Sequence, residues 1–372
     1  MKTSILSDWR AVSSLEGCWN DLLGRSRADA LFLTWEWIAA WREAIEERVA
    51  PFVVVVRDDR DRVVGIGPFY ISALRFVGLV SSRALRVLGD YPTGAEYPDW
   101  IVDTECEPEA SRAIARALTE HQKAWDYLWL PNLSGWTGAL ERVVEASRAV
   151  GLELRSRTRE FSTLRLPATA AEYWASLSGN ARSTLRRQCR QVFETTGGAF
   201  EECRAADALP ELLDALVDLN HQRWTAVGQA GTFVRKPLEH RFYRSFAPRA
   251  LAQGWLRLAA IRQGGALRAV QIGYVYKGTF LQLQEGFDPN TPGVGNALRS
   301  RVIERGIEEG VHTYDFLGEH TEHKRRWRAE PRVGHDLLIA RPGVLRTPLL
   351  SLGVWPTGRY LRPSGPLFEA SA

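Results

Sequence analysis

A glycine-containing loop ahead of a helix is the segment of this sequence best suited to hold an anion. The segment Thr291-Pro-Gly-Val-Gly-Asn-Ala-Leu298 follows a strand-like run and precedes a helix-like one. Amides in the first turn of a helix lack intrahelical acceptors, and the helix dipole is positive there, so phosphate binds well at this end. Glycine also lets the backbone approach a ligand without a Cβ in the way. We therefore predict that five loop residues bind a phosphorylated ligand: Pro292, Gly293, Val294, Gly295 and Asn296. A strand-to-helix turn that simply needs glycine is the alternative.

Glu285 is the candidate general base. It ends the strand-like run Thr279–Glu285, where the alternation of side chains puts it on one face with Leu281 and Leu283. A carboxylate at the end of an apolar face is desolvated, which raises its pKa and suits it to remove a proton near neutral pH. An exposed glutamate at the end of a strand is the alternative.

Arginine recurs at helical spacing in the predicted helix Asn180–Thr196. Arg182, Arg186 and Arg190 share one face of that helix because residues four apart lie one above the other. Guanidinium groups pair with phosphates in a bidentate manner. We predict that Arg186 and Arg190 contact a phosphate of the ligand; a solvated helix face is the alternative.

The elements that would position these residues follow a regular order. Trp255–Ile261, Ala269–Tyr276 and Thr279–Glu285 predict three strands joined by glycine turns, which are hairpin signals. The glycine loop then begins a helix that ends near Gly310, and Thr313–Leu317 predicts a further strand.

The first half of the chain repeats this order. Phe52–Gly67 parallels Leu256–Tyr276, and Trp125–Leu128 parallels Tyr314–Leu317, each pair about 190 to 205 residues apart. That offset is too long for a solenoid repeat and fits duplicated domains. Since the first copy lacks the glycine loop, we place the ligand in the second copy and expect the first copy to help shape the cleft for its reaction partner.

The other predicted elements complete two domains. Further helices are predicted at Ser7–Arg25, Thr34–Glu47, Pro108–Gln122, Thr137–Ala149 and Pro210–Ala226. Further strands are predicted at Ala73–Val80, Ala84–Leu88, Asp99–Val102, Ala124–Leu130 and within Leu152–Leu166. Thr34 is a predicted N-cap, because its hydroxyl can accept from the first turn. We predict domains at 1–165 and 166–345, followed by a tail at 346–372 that is rich in Pro and Gly.

Two short motifs in the second copy resemble those of a known family. Tyr314-Asp-Phe-Leu-Gly318 and Lys324-Arg-Arg-Trp327 are similar to the signature of the FemAB/CelD-like branch of the GNAT acyltransferase superfamily. The resemblance implies an α/β (α+β) fold of two GNAT-like domains in tandem, each a mixed, mostly antiparallel sheet flanked by helices. It also implies that the glycine loop binds the diphosphate of acyl-CoA, with Arg186 and Arg190 on a phosphate.

The resemblance adds candidate site residues outside the glycine loop. Lys324 matches a family lysine that contacts the donor or the acceptor, and an ammonium here would offset charge on a phosphate or an oxyanion. Asp315 matches an acidic family position and would orient the acceptor amine; a structural aspartate tied to backbone N–H groups is the alternative. His323 stands where an aromatic residue is usual, and Glu319–Glu322 also departs from the family pattern. His320 therefore becomes a further candidate base, with a solvated polar loop as the alternative.

Composition, charge and cysteine spacing limit the classes of protein that this sequence can encode. The chain has 372 residues, 45% of them hydrophobic and 25% charged, with a formal net charge of +4, so we expect a globular protein with more than one domain. The N-terminus has no signal-peptide pattern, and no apolar run is long enough for a transmembrane helix. The four cysteines form no C-x-x-C pair, which favours reduced thiols in the cytoplasm. No metal site is predicted, because His320 and His323 lack a third ligand at local spacing.

Three functions remain open at this point. The first is an N-acyltransferase that moves an acyl group from acyl-CoA to an amine of a small molecule, sugar or peptide by direct attack. The second is a FemAB-like transfer of an aminoacyl group from aminoacyl-tRNA, in which the arginine helix would contact RNA. The third is a non-catalytic tandem scaffold in a polysaccharide pathway, as in the CelD relatives. The sequence does not identify the acceptor or the oligomeric state.

Overall fold

A computed structural model describes residues 1–46, 48–76, 80–343 and 361–364 of the chain. The chain folds as two compact units. One comprises the described residues of the ranges 1–159 and 333–364, and the other is essentially Glu160–Arg332. The domain limits at 165 and 345 remain predictions, and most of the predicted tail lies outside the described residues.

The first unit contains a mixed sheet with helices beside it. Its strands are β1 (Lys2–Leu6), β2 (Pro51–Arg57), β3 (Val63–Phe76), β4 (Val80–Val87), β5 (Ile101–Val102), β6 (Tyr127–Ser134), β13 (Glu330–Ala340) and β14 (Leu361–Ser364). Its helices are α1 (Trp9–Ser13), α2 (Glu16–Gly24), α3 (Trp35–Ala44), α4 (Glu107–Glu120) and α5 (Ala139–Ala149). The sheet order is β1-β2-β3-β4-β6-β13, and these pairs are antiparallel except for the parallel pair β4–β6. The predicted cap of α3 is confirmed, because Thr34 Oγ1 accepts a hydrogen bond from the Trp37 amide at 3.3 Å.

The second unit repeats this arrangement. Its strands are β7 (Glu153–Arg165, from residue 160), β8 (Ala199–Glu202), β9 (Leu256–Gln263), β10 (Ala266–Tyr276), β11 (Thr279–Phe287) and β12 (Thr313–Glu319). Its helices are α6 (Ala170–Ser176), α7 (Gly179–Arg190, extended by a π turn over Gln191–Thr195), α8 (Leu209–Thr225), α9 (Thr232–Arg235), α10 (Pro237–Ala252), α11 (Val294–Glu308) and α12 (Glu322–Arg325). The sheet order is β7-β12-β11-β10-β9-β8, antiparallel except for the parallel pair β11–β12.

The two units therefore share one strand order. In each, a hairpin leads to a third strand, and a helix then leads to a strand parallel to that third one. The prediction of mixed, mostly antiparallel sheets flanked by helices is confirmed.

The second unit's core fixes the elements that matter for function. Buried apolar residues of α6, α7 and α11 pack in one cluster with residues of β9, β10 and β12. On α8, the backbone comes so close to β11 that a Cβ on Gly286 would lie 2.4 Å from the Asn220 amide nitrogen. Helix α8 therefore packs directly against the end of β11.

A β-bulge in β11 changes which side chains share a face. Gln282 lies opposite Gly273, but Gln284 lies opposite Ile272, so Leu283 is an extra residue in the strand. Bulges of this kind reverse the alternation beyond them. The predicted face for Glu285, shared with Leu281 and Leu283, is therefore wrong; its carboxylate lies beside the Gln282 side chain.

Strands β11 and β12 pair over a short length and then separate. Their parallel ladder covers Thr279–Leu281 and Thr313–Asp315. Beyond it, β12 turns through Leu317 and Gly318, whose φ angles are 51° and 60°, and its register against β7 shifts. Past this ladder, Arg299 of α11 reaches Glu285 of β11 and lies beside His323 of α12.

Candidate functional site

The start of helix α11 is open at its amide end. Gly293 occupies the N-cap with a φ of 81° and supplies no side-chain cap, and the Val294 amide bonds the Thr291 carbonyl at 3.3 Å. Within the described residues, the amides of Gly295 and Asn296 have no hydrogen-bond acceptor, and both residues are partly exposed. Free amides at a helix start are the feature that an anion requires.

The loop glycines are needed for packing as well. A Cβ on Gly295 would lie 2.7 Å from Cδ1 of Phe287, and a Cβ on Gly293 would lie 2.7 Å from Cγ of Gln188. Gln188, on α7, also accepts a hydrogen bond from the Asn296 side chain at 3.0 Å. The structural explanation for these glycines is therefore correct, and the open amides are present in addition to it.

A cavity of about 360 Å³ borders this helix start. Its lining residues come from α7, α11 and α12 and are Ser178, Asn180, Ala181, Thr184, Leu185, Asn296, His323, Arg326 and Trp327. Arg326 supplies a positive charge, and this lining contains no carboxylate. The cavity therefore combines a helix start and a guanidinium in surroundings that favour an anionic ligand.

The corresponding helix of the first unit, α4, differs at this point. Its first turn contains Glu107 and Glu109, and Glu107 pairs with the buried Arg142 at 3.3 Å. Carboxylates at a helix start complement its dipole and would repel a phosphate. By contrast, the first turn of α11 contains no acidic residue.

Glu285 is held between two arginines. Its Oε1 accepts from Arg223 at 2.9 Å, and its Oε2 accepts from Arg299 and, at 3.3 Å, from Gln282. Arg299 is only 4% exposed, and its guanidinium lies 5.0 Å from the centre of the Trp327 ring. One carboxylate thus pairs with two guanidinium groups, and the three side chains together keep a net positive charge.

The predicted rise in the pKa of Glu285 is wrong. Burial does act to raise this pKa, but the charges of Arg299 and Arg223 and the hydrogen bond from Arg299 outweigh it, so the pKa lies below its ordinary value. A carboxylate with a lowered pKa and both oxygens occupied is a poor general base. We therefore assign Glu285 to the ion-pair network.

His323 lies between this network and the cavity. Its Nε2 is 3.0 Å from Nη1 of Arg299, and its ring lines the cavity that Asn296 borders. Burial and the charge of Arg299 lower the pKa of His323, so the imidazole is neutral near pH 7.

Asp315 and Lys324 both contact the backbone of the β12 turn. Asp315 is 3% exposed and accepts a hydrogen bond from the Leu317 amide at 2.9 Å, which favours the structural alternative for it. Lys324 Nζ donates to the Leu317 carbonyl and, at 2.9 Å, to that of Glu319. These carbonyls occupy two of its three donors, so the ammonium stabilises the left-handed turn, and Lys324 is not in the lining of the cavity that Asn296 borders.

His320 is separated from the cavity at the start of α11. Its Nδ1 lies 2.9 Å from the hydroxyl of Ser162, a side chain with no exposure to solvent, and its amide bonds the Glu160 carbonyl. His320 does not line that cavity, and its role as a base remains a prediction without geometric support.

The predicted arginines line a second cavity. Arg186 and Arg190 border a space of about 660 Å³ whose lining also includes Arg301, Trp174, Phe193 and the carboxylates of Glu194 and Glu304. Arg186 lies 5.6 Å from the Trp174 ring, and no ion pair joins Arg186 or Arg190 to an acid among the described residues. Asn296 is not part of this lining, so the loop and the arginine face do not border one common cavity.

Residues that the sequence reasoning missed carry much of the charge in this region. Arg299 and Arg326 were not candidates, and His323 was noted only as a departure from the family pattern. A signal existed for Arg299, because it lies about one helical turn after Asn296 and one turn before the apolar pair Val302 and Ile303.

Metal-binding clusters and membrane-spanning helices are both absent from the described ranges of the chain. No group of three or more His, Cys, Asp or Glu side chains there could hold a metal ion. No helix in those ranges is long and apolar enough to cross a membrane.

Comparison with known proteins gives a family match for one segment of the chain and shows the fold. Residues 179–325 match the family described as an acetyltransferase (GNAT) domain. FemX, by its crystal structure, is 10% identical to this chain, with 91% of this chain and 97% of FemX covered and a TM-score of 0.61. The C-terminal domain of a putative lysylphosphatidylglycerol synthetase from Agrobacterium fabrum is 13% identical, covering 90% and 95% of the two chains with a TM-score of 0.51. L-PGS from Bacillus licheniformis is also 13% identical, with 86% and 94% covered and a TM-score of 0.51. At these identities the likeness shows the fold. No curated protein sequence matches the chain.

Proposed function

We propose that this chain, whose residues 179–325 form a GNAT acetyltransferase domain, is an N-acyltransferase that uses acyl-CoA as its donor. The amine of a small molecule, sugar or peptide would be the acceptor. The observation that carries this proposal is the uncapped start of α11, where the amides of Gly295 and Asn296 are free and Asn296 borders a cavity lined without carboxylates. The diphosphate of acyl-CoA is the anion that such a site would hold.

The chemistry needs no covalent enzyme intermediate. The neutral amine attacks the thioester carbonyl carbon, a tetrahedral intermediate forms, and the C–S bond breaks to release CoA as a thiolate. The amine must lose a proton, because an alkyl ammonium with a pKa near 10 is not nucleophilic. Since the carboxylate of Glu285 is bound by two arginines, we propose that water accepts this proton.

The four cysteines support a cytoplasmic site of action. All four are free, as is usual where thiols remain reduced.

The decisive experiment is calorimetric titration of acetyl-CoA and longer acyl-CoAs into the wild type and Asn296→Asp. An acidic residue in the first turn complements the helix dipole, so the helix should keep its stability. The same charge would repel the diphosphate, and we expect the dissociation constant to rise at least roughly ten-fold, the equivalent of about 1.4 kcal/mol. Unchanged affinity in Asn296→Asp would refute a diphosphate at this helix start.

A steric variant gives an independent test. A Cβ on Gly295 would lie 2.7 Å from Cδ1 of Phe287, so Gly295→Trp must displace the start of α11 from that ring and should abolish the heat of binding. Gly24→Trp is the matched control, because Gly24 is exposed and has nothing within 4 Å of its Cβ position. Equal binding by both variants would count against the site.

The arginine cavity favours a second candidate donor. Arg186 and Arg190 line a space that also contains aromatic side chains and two carboxylates, Glu194 and Glu304. Neither arginine is ion-paired to an acid among the described residues, so both could pair with RNA phosphates while the aromatic rings stack on bases. A FemAB-like aminoacyl transfer from aminoacyl-tRNA would then be the activity. It predicts product formation that ribonuclease abolishes and a steep dependence of the binding constant on salt. In the acyl-CoA reaction, the same arginines would contact a phosphate at the nucleotide end of CoA.

A scaffold without catalysis is the remaining outcome. It would follow if neither acyl-CoA nor aminoacyl-tRNA bound to the folded protein. A screen of amines by mass spectrometry, with acyl-CoA present, would identify the acceptor if binding is found.

A further inference from the structure

The contact between His323 and Arg299 fixes the tautomer of the imidazole. Nε2 of His323 lies 3.0 Å from Nη1 of Arg299. A guanidinium group has five N–H donors and no acceptor. Nε2 must therefore accept this hydrogen bond, and a neutral ring must carry its proton on Nδ1.

The neighbours of Arg299 hold its guanidinium in place, so its hydrogen bond to His323 persists. Its guanidinium donates to Glu285, lies 5.0 Å from the centre of the Trp327 ring and is almost completely buried. Moving it would break a buried ion pair, which is costly. The lone pair of Nε2 is thus occupied as long as the network is intact.

The charges around His323 also keep the ring neutral. Arg299 on α11, Arg223 on α8 and Arg326 beyond α12 oppose its protonation, and Glu285 on β11 favours it. Burial acts in the same direction as the arginines, and the pKa of His323 is lowered as a result. A proton on Nε2 would in addition point at a group that can only donate.

We propose that His323 is a hydrogen-bond donor to a carbonyl oxygen of the acyl donor and not a base. This inference rests on the proposed acyl transfer. The ring lines the same cavity as Asn296, and Nδ1–H is its one remaining polar group. A cavity that otherwise presents Arg326, hydroxyls and amides would then offer a ligand carbonyl a neutral donor. Arg299 is the positioning residue that acts through His323.

The first test measures the tautomer on the free protein. Nitrogen-15 NMR of imidazole-labelled wild type, with His323→Asn to assign the signal, should show Nδ1 protonated and Nε2 unprotonated at pH 7. An Nε2–H tautomer, or a doubly protonated ring at that pH, would overturn the proposal. Because no acyl-CoA is used, this result is independent of whether acyl transfer is the correct function.

The second test compares two variants in their use of the acyl donor. In His323→Asn the side-chain amide can place an N–H close to the position of Nδ1, whereas His323→Leu has the bulk and no donor. We expect kcat/KM for acyl-CoA to be at least roughly ten-fold lower in the leucine variant than in the asparagine variant. Loss of one hydrogen bond to the donor accounts for a factor of about this size. Equal losses in the two variants would indicate a purely structural role. Binding heats of acyl-CoA, measured beside the rates, show whether the proposed function itself has failed.

Discussion

Replacing Glu285 by glutamine separates a structural role for this carboxylate from a catalytic one. Its side chain is 15% exposed and pairs with Arg299, whose side chain is 5% exposed, and with Arg223, which is 28% exposed. Glutamine can accept a hydrogen bond from one of these guanidinium groups, but its amide donors face the other. A buried guanidinium therefore loses its counter-charge.

The expected loss in the free energy of unfolding follows from the burial of Arg299. Removing one member of a buried ion pair costs about 3–5 kcal/mol, because the remaining charge is left uncompensated. The loss at Arg223 adds little, since a partly exposed pair contributes about 0–1 kcal/mol. Because glutamine retains one hydrogen bond, we expect Glu285→Gln to lower the free energy of unfolding by about 3 kcal/mol. We expect the turnover rate of the folded variant to stay within roughly ten-fold of wild type, because loss of a true general base costs roughly 10²–10⁴.

Urea denaturation and steady-state kinetics, the latter in the absence of urea, measure these two quantities. The control is the double variant Glu285→Leu with Arg299→Met, which removes both charges and should be more stable than Arg299→Met alone. A turnover rate that falls by roughly a hundred-fold or more, with an unchanged free energy of unfolding, would refute the reasoning and restore Glu285 as the base.

The same network predicts a loss of stability in acid. The pKa of Glu285 in the folded protein lies below its ordinary value of 4.5, so its contribution is complete above pH 4.5 and is lost as pH falls through the folded pKa. The pKa of His323 is lowered from 6.5, so its contribution is likewise complete above pH 6.5 and declines as pH falls. Urea midpoints measured from pH 7 to pH 3 should fall more steeply for the wild type than for Glu285→Gln. Parallel curves would contradict this prediction.

Three further variants test other contacts. Lys324→Met leaves two backbone carbonyls without their donor and should lower the free energy of unfolding by about 2 kcal/mol in urea denaturation. The dissociation constant of acyl-CoA should not change. A weaker affinity at unchanged stability would favour a binding role for Lys324. Gly286→Ala places a Cβ 2.4 Å from the Asn220 amide nitrogen and should cost about 3 kcal/mol by overpacking, whereas near wild-type stability would show that α8 can move. Arg190→Glu should raise the dissociation constant of the phosphorylated donor roughly ten-fold in calorimetry, and Arg187→Glu, on the same helix but outside the cavity lining, serves as its control.

Local sequence patterns were sufficient to predict much of the fold. The glycine turns between alternating segments predicted the hairpins β9–β10 and β10–β11, because turn geometry and side-chain alternation depend on neighbours in sequence. The repeat between Phe52–Gly67 and Leu256–Tyr276 predicted the shared strand order of the two units. The sequence left α10 (Pro237–Ala252) unassigned, since Pro237 and Pro248 interrupt its pattern, although Phe242 and Phe246 are spaced as on one helix face.

By itself, the sequence determined that a glycine loop precedes α11, because the turn that begins a helix depends on residues that are neighbours in the chain. The tertiary structure decided the sign of the pKa shift at Glu285, since that depends on Arg223 and Arg299 from two separate helices and on a bulge that alternation does not reveal. It also decided that Asn296 and Arg190 border different cavities. Charges and cavities are shared among elements far apart in the chain, so their balance exists only once those elements pack together.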